Sequence, residues 1–237
     1  MITIDKKQWR RLLAKARRGD PETQWEVGYH YDNGAVDGSG VTIVRPQPAR
    51  ALQWYTLSAK QGDSEAQNSL GVLLSSGEGI DLDIDAAIYW TKKAMRQGSS
   101  SAAHNLGTIY RDMKKPDVAF RWYNRAVEMG NTDSLLQVGL SYLFGFGIKQ
   151  NFKIACKCFE EIIGRESGRL CLSTREEAQY WMAICHLMGI GIKKSVEKAR
   201  DLLEAADKDN DHDGANEILA LVGRVRQLNR VRDKVKR

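Results

Sequence analysis

The chain of 237 residues has little cysteine, little proline and no long apolar segment. Its cysteines are Cys156, Cys158, Cys171 and Cys185. Without a CxxC pair among them, they favour free thiols in a reducing compartment over a disulfide framework. No apolar run approaches the roughly 18 residues that a membrane helix requires. Residues 1–13 carry charges where a signal peptide would be apolar, so we expect a cytoplasmic protein.

Charge is distributed unevenly along the chain, whose 36 basic and 30 acidic residues give a net charge of +6. Residues 1–18 and 224–237 each carry seven basic side chains and one acidic side chain. The segment between them therefore holds 22 basic and 28 acidic residues. An acidic middle argues against a uniform nucleic-acid-binding face, and it leaves the two basic ends as possible contacts for anions.

A block of six residues recurs along the chain and marks an internal repeat. It is clearest at Ala66–Gly71 and at Ala102–Gly107. In four copies, the glycine of the block comes nine positions after the preceding turn glycine, at residues 19 and 28, 62 and 71, 98 and 107, and 130 and 139. In each repeat a second block of five residues follows the first one, at Ala51–Tyr55, Ala87–Thr91, Ala119–Tyr123, Ala155–Phe159 and Ala199–Leu203. Because the length differences fall mainly in the connections, chance similarity does not explain the pattern.

Each repeat predicts a pair of antiparallel helices. An apolar stripe runs along the first helix of the second repeat, at Ala66, Leu70 and Leu74. Gly71 has no Cβ atom and lets a neighbouring helix approach closely. The glycines of Gly77–Gly79 are expected to end this helix, because a left-handed residue commonly closes one. Second helices are predicted to begin after the N-cap residues Asp83, Asn151 and Ser195.

The combined pattern, A-x-x-x-L-G followed by G-x-G and then A-x-x-W with A-x-x-G, resembles the Sel-one-like repeat, a relative of the tetratricopeptide repeat. The resemblance covers about residues 20–210. It implies an all-α, right-handed α-solenoid of about five antiparallel helix pairs, and a bacterial, non-enzymatic protein that binds other proteins. We expect a single domain with an N-terminal capping helix at 1–20, repeats at 21–62, 63–98, 99–130, 131–172 and 173–210, and a basic C-terminal capping helix at 211–237.

The same resemblance suggests where a partner protein would bind. Residues spaced like the concave-facing positions of tetratricopeptide helices are expected to line a groove, and they are Trp25, Tyr29, Val72, His104, Thr108, Arg111, Leu136, Leu140, Phe144, Tyr180 and Ile184. Aromatic and aliphatic anchors beside single polar groups are typical of protein-binding hot spots. The alternative is that several of these side chains pack against the helices of the neighbouring repeat.

Other motifs favour structural roles. Asp209–Gly214 matches the first half of a calcium loop, but Ala220 stands where the closing glutamate is required. No nucleophile has a recognisable base beside it in the sequence, and the histidines do not cluster. We therefore expect no metal, no cofactor and no catalytic residue.

The family resemblance favours an adaptor or a toxin-neutralising, immunity-type protein. Two alternatives stay open: an anion binder that uses its basic ends on nucleic acid or anionic membrane, and a hydrolase with a site in the groove. The basic C-terminal helix fits a cap, a contact surface, or both.

Overall fold

The computed structural model describes residues 2–165, 172–207 and 213–220. Its helices are α1 (Lys6–Ala16), α2 (Pro21–Asn33), α3 (Pro48–Lys60), α4 (Ser64–Ser76), α5 (Ile84–Arg96), α6 (Ser100–Asp112), α7 (Pro116–Glu128), α8 (Asp133–Phe144), α9 (Phe152–Gly164), α10 (Leu172–Met188) and α11 (Val196–Ala206). Residues 213–220 are also helical. A two-stranded hairpin, β1 (Ala35–Val36) and β2 (Thr42–Val44), lies in the connection between α2 and α3.

The chain divides into two compact units, Met1–Met129 and Gly130–Arg237, called unit 1 and unit 2 below. In unit 1 the helix pairs are α2 with α3, α4 with α5, and α6 with α7, and α1 packs on α2. In unit 2 the pairs are α8 with α9 and α10 with α11. The five pairs follow the five predicted repeats, because each amphipathic helix buries its apolar stripe against the next one along the chain.

The predicted helix boundaries are confirmed by their caps. The Asp83 carboxylate accepts a hydrogen bond from the Ala86 N–H at 2.9 Å. Asn151 and Ser195 cap α9 and α11 in the same way. At the other end of a first helix, Gly77 is left-handed with a φ of 67° and closes α4. These local signals fix where each helix starts and stops.

In four of the five pairs, the two helices meet at a glycine. A Cβ atom on Gly71 would lie 2.0 Å from the Thr91 Oγ1, and one on Gly139 would lie 2.7 Å from the Phe159 Cε1. Thr91 and Phe159 are completely buried. The prediction that the repeat glycine permits close helix approach is confirmed, and the residue that fills the space is the last one of the second sequence block.

The long connection of the first repeat contains the hairpin, which the repeat pattern does not predict. The Asp37 carboxylate accepts hydrogen bonds from the N–H groups of Ser39 and Val41, at 2.9 and 3.0 Å, and so organises its turn. The β-branched run that follows favours an extended backbone. Residues 2–4 lie beside β1, where Thr3 is opposite Val36 in a parallel bridge.

No helix within the described ranges is long and apolar enough to cross a membrane.

Candidate protein-interaction surface

The first helices of unit 1 lie side by side and present one layer of side chains. The indole N–H of Trp25 on α2 donates to the Ser69 Oγ on α4 at 3.1 Å. Between α4 and α6, the Asn105 side-chain amide donates to the Asn68 Oδ1 at 2.9 Å. Because polar side chains tie neighbouring first helices together, residues at equivalent positions of α2, α4 and α6 share a face.

The apolar part of this face consists of Trp25, Tyr29 and Val72, which we call the unit 1 patch. The Trp25 and Tyr29 rings are stacked, with centroids 5.7 Å apart. Tyr29 is 40% exposed and Val72 is 43% exposed. An aromatic stack with an open ring face is the kind of preformed anchor that protein interfaces use.

The predicted site residues of α6 form a more polar part of the layer. The His104 ring lies 5.5 Å from the ring of Tyr123, a buried residue of α7. The hydroxyls of Thr108 and Tyr123 are 3.3 Å apart. Burial raises the pKa of Tyr123, so its phenol stays protonated and hydrogen-bonds as a neutral group. Arg111 is exposed and its Nε donates to the Asp112 Oδ1 at 3.0 Å.

Unit 2 carries an aromatic cluster formed by Phe144 on α8, Phe146 in the loop after α8, and Trp181 on α10. The Phe144 ring centroid lies 5.5 Å from that of Phe146 and 5.2 Å from that of Trp181. Phe144 is 45% exposed and Phe146 is 58% exposed. The Trp181 indole N–H donates to the Glu177 Oε2 at 3.0 Å, which holds the ring in place. A sizeable apolar area therefore faces solvent beside a carboxylate.

The other predicted residues of unit 2 differ in how accessible they are. Leu136 is buried and offers no contact area. Tyr180 packs against residue 214, because a Cβ atom there would lie 3.2 Å from the Tyr180 Cε2. Leu140 and Ile184 are half-buried. Of the predicted groove residues in this unit, Phe144 has the most open side chain.

Sequence reasoning missed Phe146 and Trp181. Phe146 stands between the two glycines of the loop after α8, where the second repeat has Glu78 and the fifth has Ile190. A bulky aromatic at an exposed loop position was the available signal. Trp181 directly follows Tyr180. It contacts Phe144 of another repeat, and no local sequence pattern predicts a contact between repeats.

The described cysteines are buried thiols. The Cys156 thiol donates to the Ile190 carbonyl oxygen at 3.5 Å, and burial is the main cause that raises the pKa of Cys185 to about 12. Burial also raises the pKa of Cys158, to about 11, where this residue occupies the tryptophan position of other repeats. Cys171 lies outside the described residues. Thiols with such pKa values are poor nucleophiles near neutral pH.

The surroundings of His186 fit a structural role. His186 is buried, and its Nδ1 lies 3.2 Å from the Lys193 carbonyl oxygen. Across the described ranges, no three His, Cys, Asp or Glu side chains come together as metal ligands. Residues 209–212 of the calcium-like motif and residues 221–237 of the basic C-terminal segment lie outside the described residues.

Comparison with solved structures supports the repeat architecture. The fold matches that of a protective antigen of uropathogenic Escherichia coli described as displaying an SLR fold, with a TM-score of 0.75 and 23% identity over 92% of this chain and 44% of that chain. A Sel1 repeat protein from Oxalobacter formigenes matches with a TM-score of 0.69 and 26% identity over 90% of this chain and 80% of that chain. The predicted all-α solenoid of antiparallel helix pairs is confirmed.

Sequence comparison gives the same assignment. Chitin synthase regulatory factor 4 of Schizosaccharomyces pombe is 26% identical over 141 residues, which are 59% of this chain and 21% of that protein. The chain spans about a fifth or less of the first curated relatives that it matches. The model of the Sel1 repeat matches residues 21–63, 64–99, 100–131, 132–162 and 176–206. Since these five matches cover most of the chain, the protein belongs to the Sel1 repeat family, whose members are generally protein-interaction modules.

Proposed function

We propose that this protein is a non-enzymatic binding module of the bacterial cytoplasm, which holds a partner protein on the exposed side chains of its first helices and of the loop after α8. Within this class, we propose an adaptor or an immunity-type protein that neutralises a toxin. The repeat family supports the binding role. The name of the S. pombe relative, a regulatory factor for an enzyme, fits a protein that acts on other proteins.

The observation that carries this proposal is the aromatic cluster of unit 2. Two phenylalanine rings that are about half exposed, with an indole in edge contact, leave apolar area in water that a partner would cover. Aromatic residues supply large contact areas at a low entropic cost and are enriched among hot spots. The stacked Trp25 and Tyr29 provide a second anchor of the same kind in unit 1.

Site-specific photo-crosslinking in the native bacterium tests the proposal. A photoreactive phenylalanine replaces Phe146 or Tyr29, and matched probes replace Leu57 or Tyr89, which are comparably exposed on the second helices. A single protein that crosslinks from the Phe146 and Tyr29 positions and not from the matched second-helix positions supports the proposal. Equal crosslinking from all four positions would contradict a binding face on this side of the helix pairs.

Binding measurements with the purified partner then separate the two roles and the electrostatic alternative. An adaptor binds two partners at once, whereas an immunity-type protein abolishes the toxic activity of one. A complex that persists at near-physiological salt supports apolar anchoring. Binding that falls steeply as salt rises favours an anion binder, because phosphate contacts release counterions.

A further inference from the structure

Unit 1 contains a cleft of about 540 Å³ beside residues 2–4, which are hydrogen-bonded to β1. Residues 2–4 form one side of it. The side chains that line the rest come from α1 and α2, and the polar ones are Gln8, Arg11, Lys15, Glu26 and His30. This volume is in the range of sites that hold small ligands or short peptide segments.

Residues 2–4 pair with β1 on one side and have an open backbone edge on the other. The Ile4 N–H donates to the Val36 carbonyl oxygen at 2.8 Å, and the Val36 N–H donates to the Ile2 carbonyl oxygen at 2.9 Å. Backbone groups of successive strand residues point to opposite sides, so the N–H and C=O of Thr3 point away from β1. Within the described ranges neither group has a backbone partner. An exposed edge of this kind accepts an added strand.

The charges of α1 indicate what the added strand carries. Every charged side chain of α1 is basic. Lys15 is paired with Asp20, whose Oδ2 lies 3.2 Å from the lysine Nζ. Arg11 has no ion-pair partner among the described residues. Arg11 lines the same cleft as the open backbone edge at Thr3, and no carboxylate in the described part of the chain is bound to it. This arrangement favours an acidic ligand, since arginine pairs with carboxylates in a bidentate geometry.

His30, which lines the opposite side of the cleft, has a buried nitrogen without a hydrogen-bond partner among the described residues. His30 is buried with only 4% of its surface exposed, and its Nδ1 has no hydrogen-bond partner in the described part of the chain. Its Nε2 lies 3.9 Å from the Oε1 of Glu26, which also lines the cleft, and this separation is beyond hydrogen-bond distance. Unpartnered buried polar atoms are uncommon, and they mark places where a ligand or water completes the network.

We propose that this cleft binds an extended, acidic peptide segment of a partner protein, which adds a strand at Thr3 and places a carboxylate against Arg11. Main-chain hydrogen bonds to Thr3 give the peptide its extended form, and the arginine selects for acidic side chains. The site is distinct from the aromatic cluster and the unit 1 patch. It needs no partner protein for its test, so its failure and the failure of the proposed function are distinguishable.

Fluorescence anisotropy with two labelled peptides tests the site directly. We expect the hexapeptide Val-Glu-Val-Glu-Val-Glu to bind at least tenfold more tightly than Val-Lys-Val-Lys-Val-Lys, because Arg11 then gains a charged hydrogen bond. An acidic peptide with a proline at its third position lacks one backbone N–H donor, and we expect it to bind several-fold more weakly. Equal binding of all three peptides, or no binding of the acidic one, would overturn the proposal.

Variants of the full chain assign the binding to this cleft. We expect Arg11→Glu to weaken the acidic peptide at least tenfold, and the matched Arg10→Glu, which changes an α1 arginine outside the cleft, to have a smaller effect. Thr3→Pro removes the free N–H but keeps the Ile4 to Val36 hydrogen bond, and we expect a several-fold loss. Equal losses for both arginine variants would mean general electrostatic attraction and would overturn the proposal.

Two other occupants have their own signatures. If inorganic phosphate displaces the acidic peptide and the proline-containing peptide binds equally well, the cleft is an anion site and the strand proposal is wrong. If sedimentation shows a dimer that Thr3→Pro dissociates, the occupant is a second copy of this chain, which also overturns the proposal.

Discussion

Tyr123 packs directly against the backbone of Gly107, where a Cβ atom would lie only 2.5 Å from the Tyr123 Cε1. The fifth helix pair has Ala183 at the glycine position and Leu203 at the tyrosine position, and both are completely buried. A smaller partner thus accompanies the larger first-helix residue. The two positions share one volume, and each repeat fills it differently.

This relationship predicts a compensating pair of substitutions. Gly107→Ala should destabilise the protein by about 1–3 kcal/mol, because the added methyl group clashes with a buried ring. The double variant Gly107→Ala with Tyr123→Leu copies the fifth pair, so its loss should be smaller than the sum of the two single losses. Urea denaturation of all four proteins measures the coupling. Additive losses would show that the two residues do not share the space.

The second prediction concerns the tryptophan of the repeat. Trp90 is half-buried against the core of unit 1, and the Lys93 Nζ lies 5.0 Å from its ring centroid. Trp90→Ala should cost about 3 kcal/mol, the lower end for a large aromatic, since part of the ring is exposed. The neighbouring Tyr89→Ala is the matched control and should cost less than about 1 kcal/mol, because Tyr89 is 55% exposed. Equal thermal midpoints for Trp90→Ala and the parent protein would mean that the assigned repeat register is wrong.

A third prediction follows from the cap of α5. Asp83→Ala removes the acceptor for the Ala86 N–H and should lower the free energy of unfolding by about 1 kcal/mol. Asp83→Asn keeps an acceptor and should retain most of the stability. Asp85→Ala controls for charge, since Asp85 lies in the first turn and is not the N-cap. A loss for Asp85→Ala as large as that for Asp83→Ala would favour a helix-dipole effect over capping.

The buried thiols predict how stability depends on alkaline pH. Burial raises the pKa of Cys185 to about 12, above the roughly 8.5 of an unfolded cysteine. The folded state therefore favours the neutral thiol, and this contribution is complete below about pH 8.5 and declines as the pH rises toward 12. The free energy of unfolding should fall by up to about 1.4 kcal/mol per pH unit from this group. Cys185→Val should flatten the decline between pH 9 and 10.5 in urea titrations. An unchanged slope would assign the decline to other groups.

The ends of the helices could be predicted from the sequence because they depend on local signals. Helix caps and closing glycines depend only on neighbouring residues, so they can be recognised in the sequence. The examples here are the caps Asp83, Asn151 and Ser195 and the closing glycine Gly77. The hairpin at 35–44 escaped the repeat pattern because it lies in a connection. Its run from Val41 to Val44 is too short to separate from a loop without the strand that pairs with it.

The candidate site was less predictable, because exposure depends on contacts between repeats. Leu136 and Leu140 lie four residues apart on α8 and therefore share one face of the helix. Leu136 is nevertheless buried, whereas Leu140 is half-buried. Phe146 and Trp181 join Phe144 only through tertiary packing. Helical periodicity indicates which face a residue occupies, and it does not indicate whether the next helix covers that residue.

The last prediction concerns affinity for the partner. Phe146→Ala should weaken binding by about 2 kcal/mol, roughly 30-fold, because it removes a ring that is 58% exposed and free to contact a partner. Ile154→Ala, on the second helix of the same pair, is the control and should leave affinity nearly unchanged. Tyr29→Ala and the comparably exposed Tyr89→Ala test unit 1 in the same way.

Replacing Arg230, Arg232 and Lys234 with glutamine removes charge from the basic C-terminal segment. Isothermal titration calorimetry measures the affinity of each variant for the partner and decides between aromatic anchoring and electrostatic binding. Normal affinity in Phe146→Ala and Tyr29→Ala, with a loss in the glutamine variant, would replace the aromatic anchors with electrostatic binding through the chain's basic end.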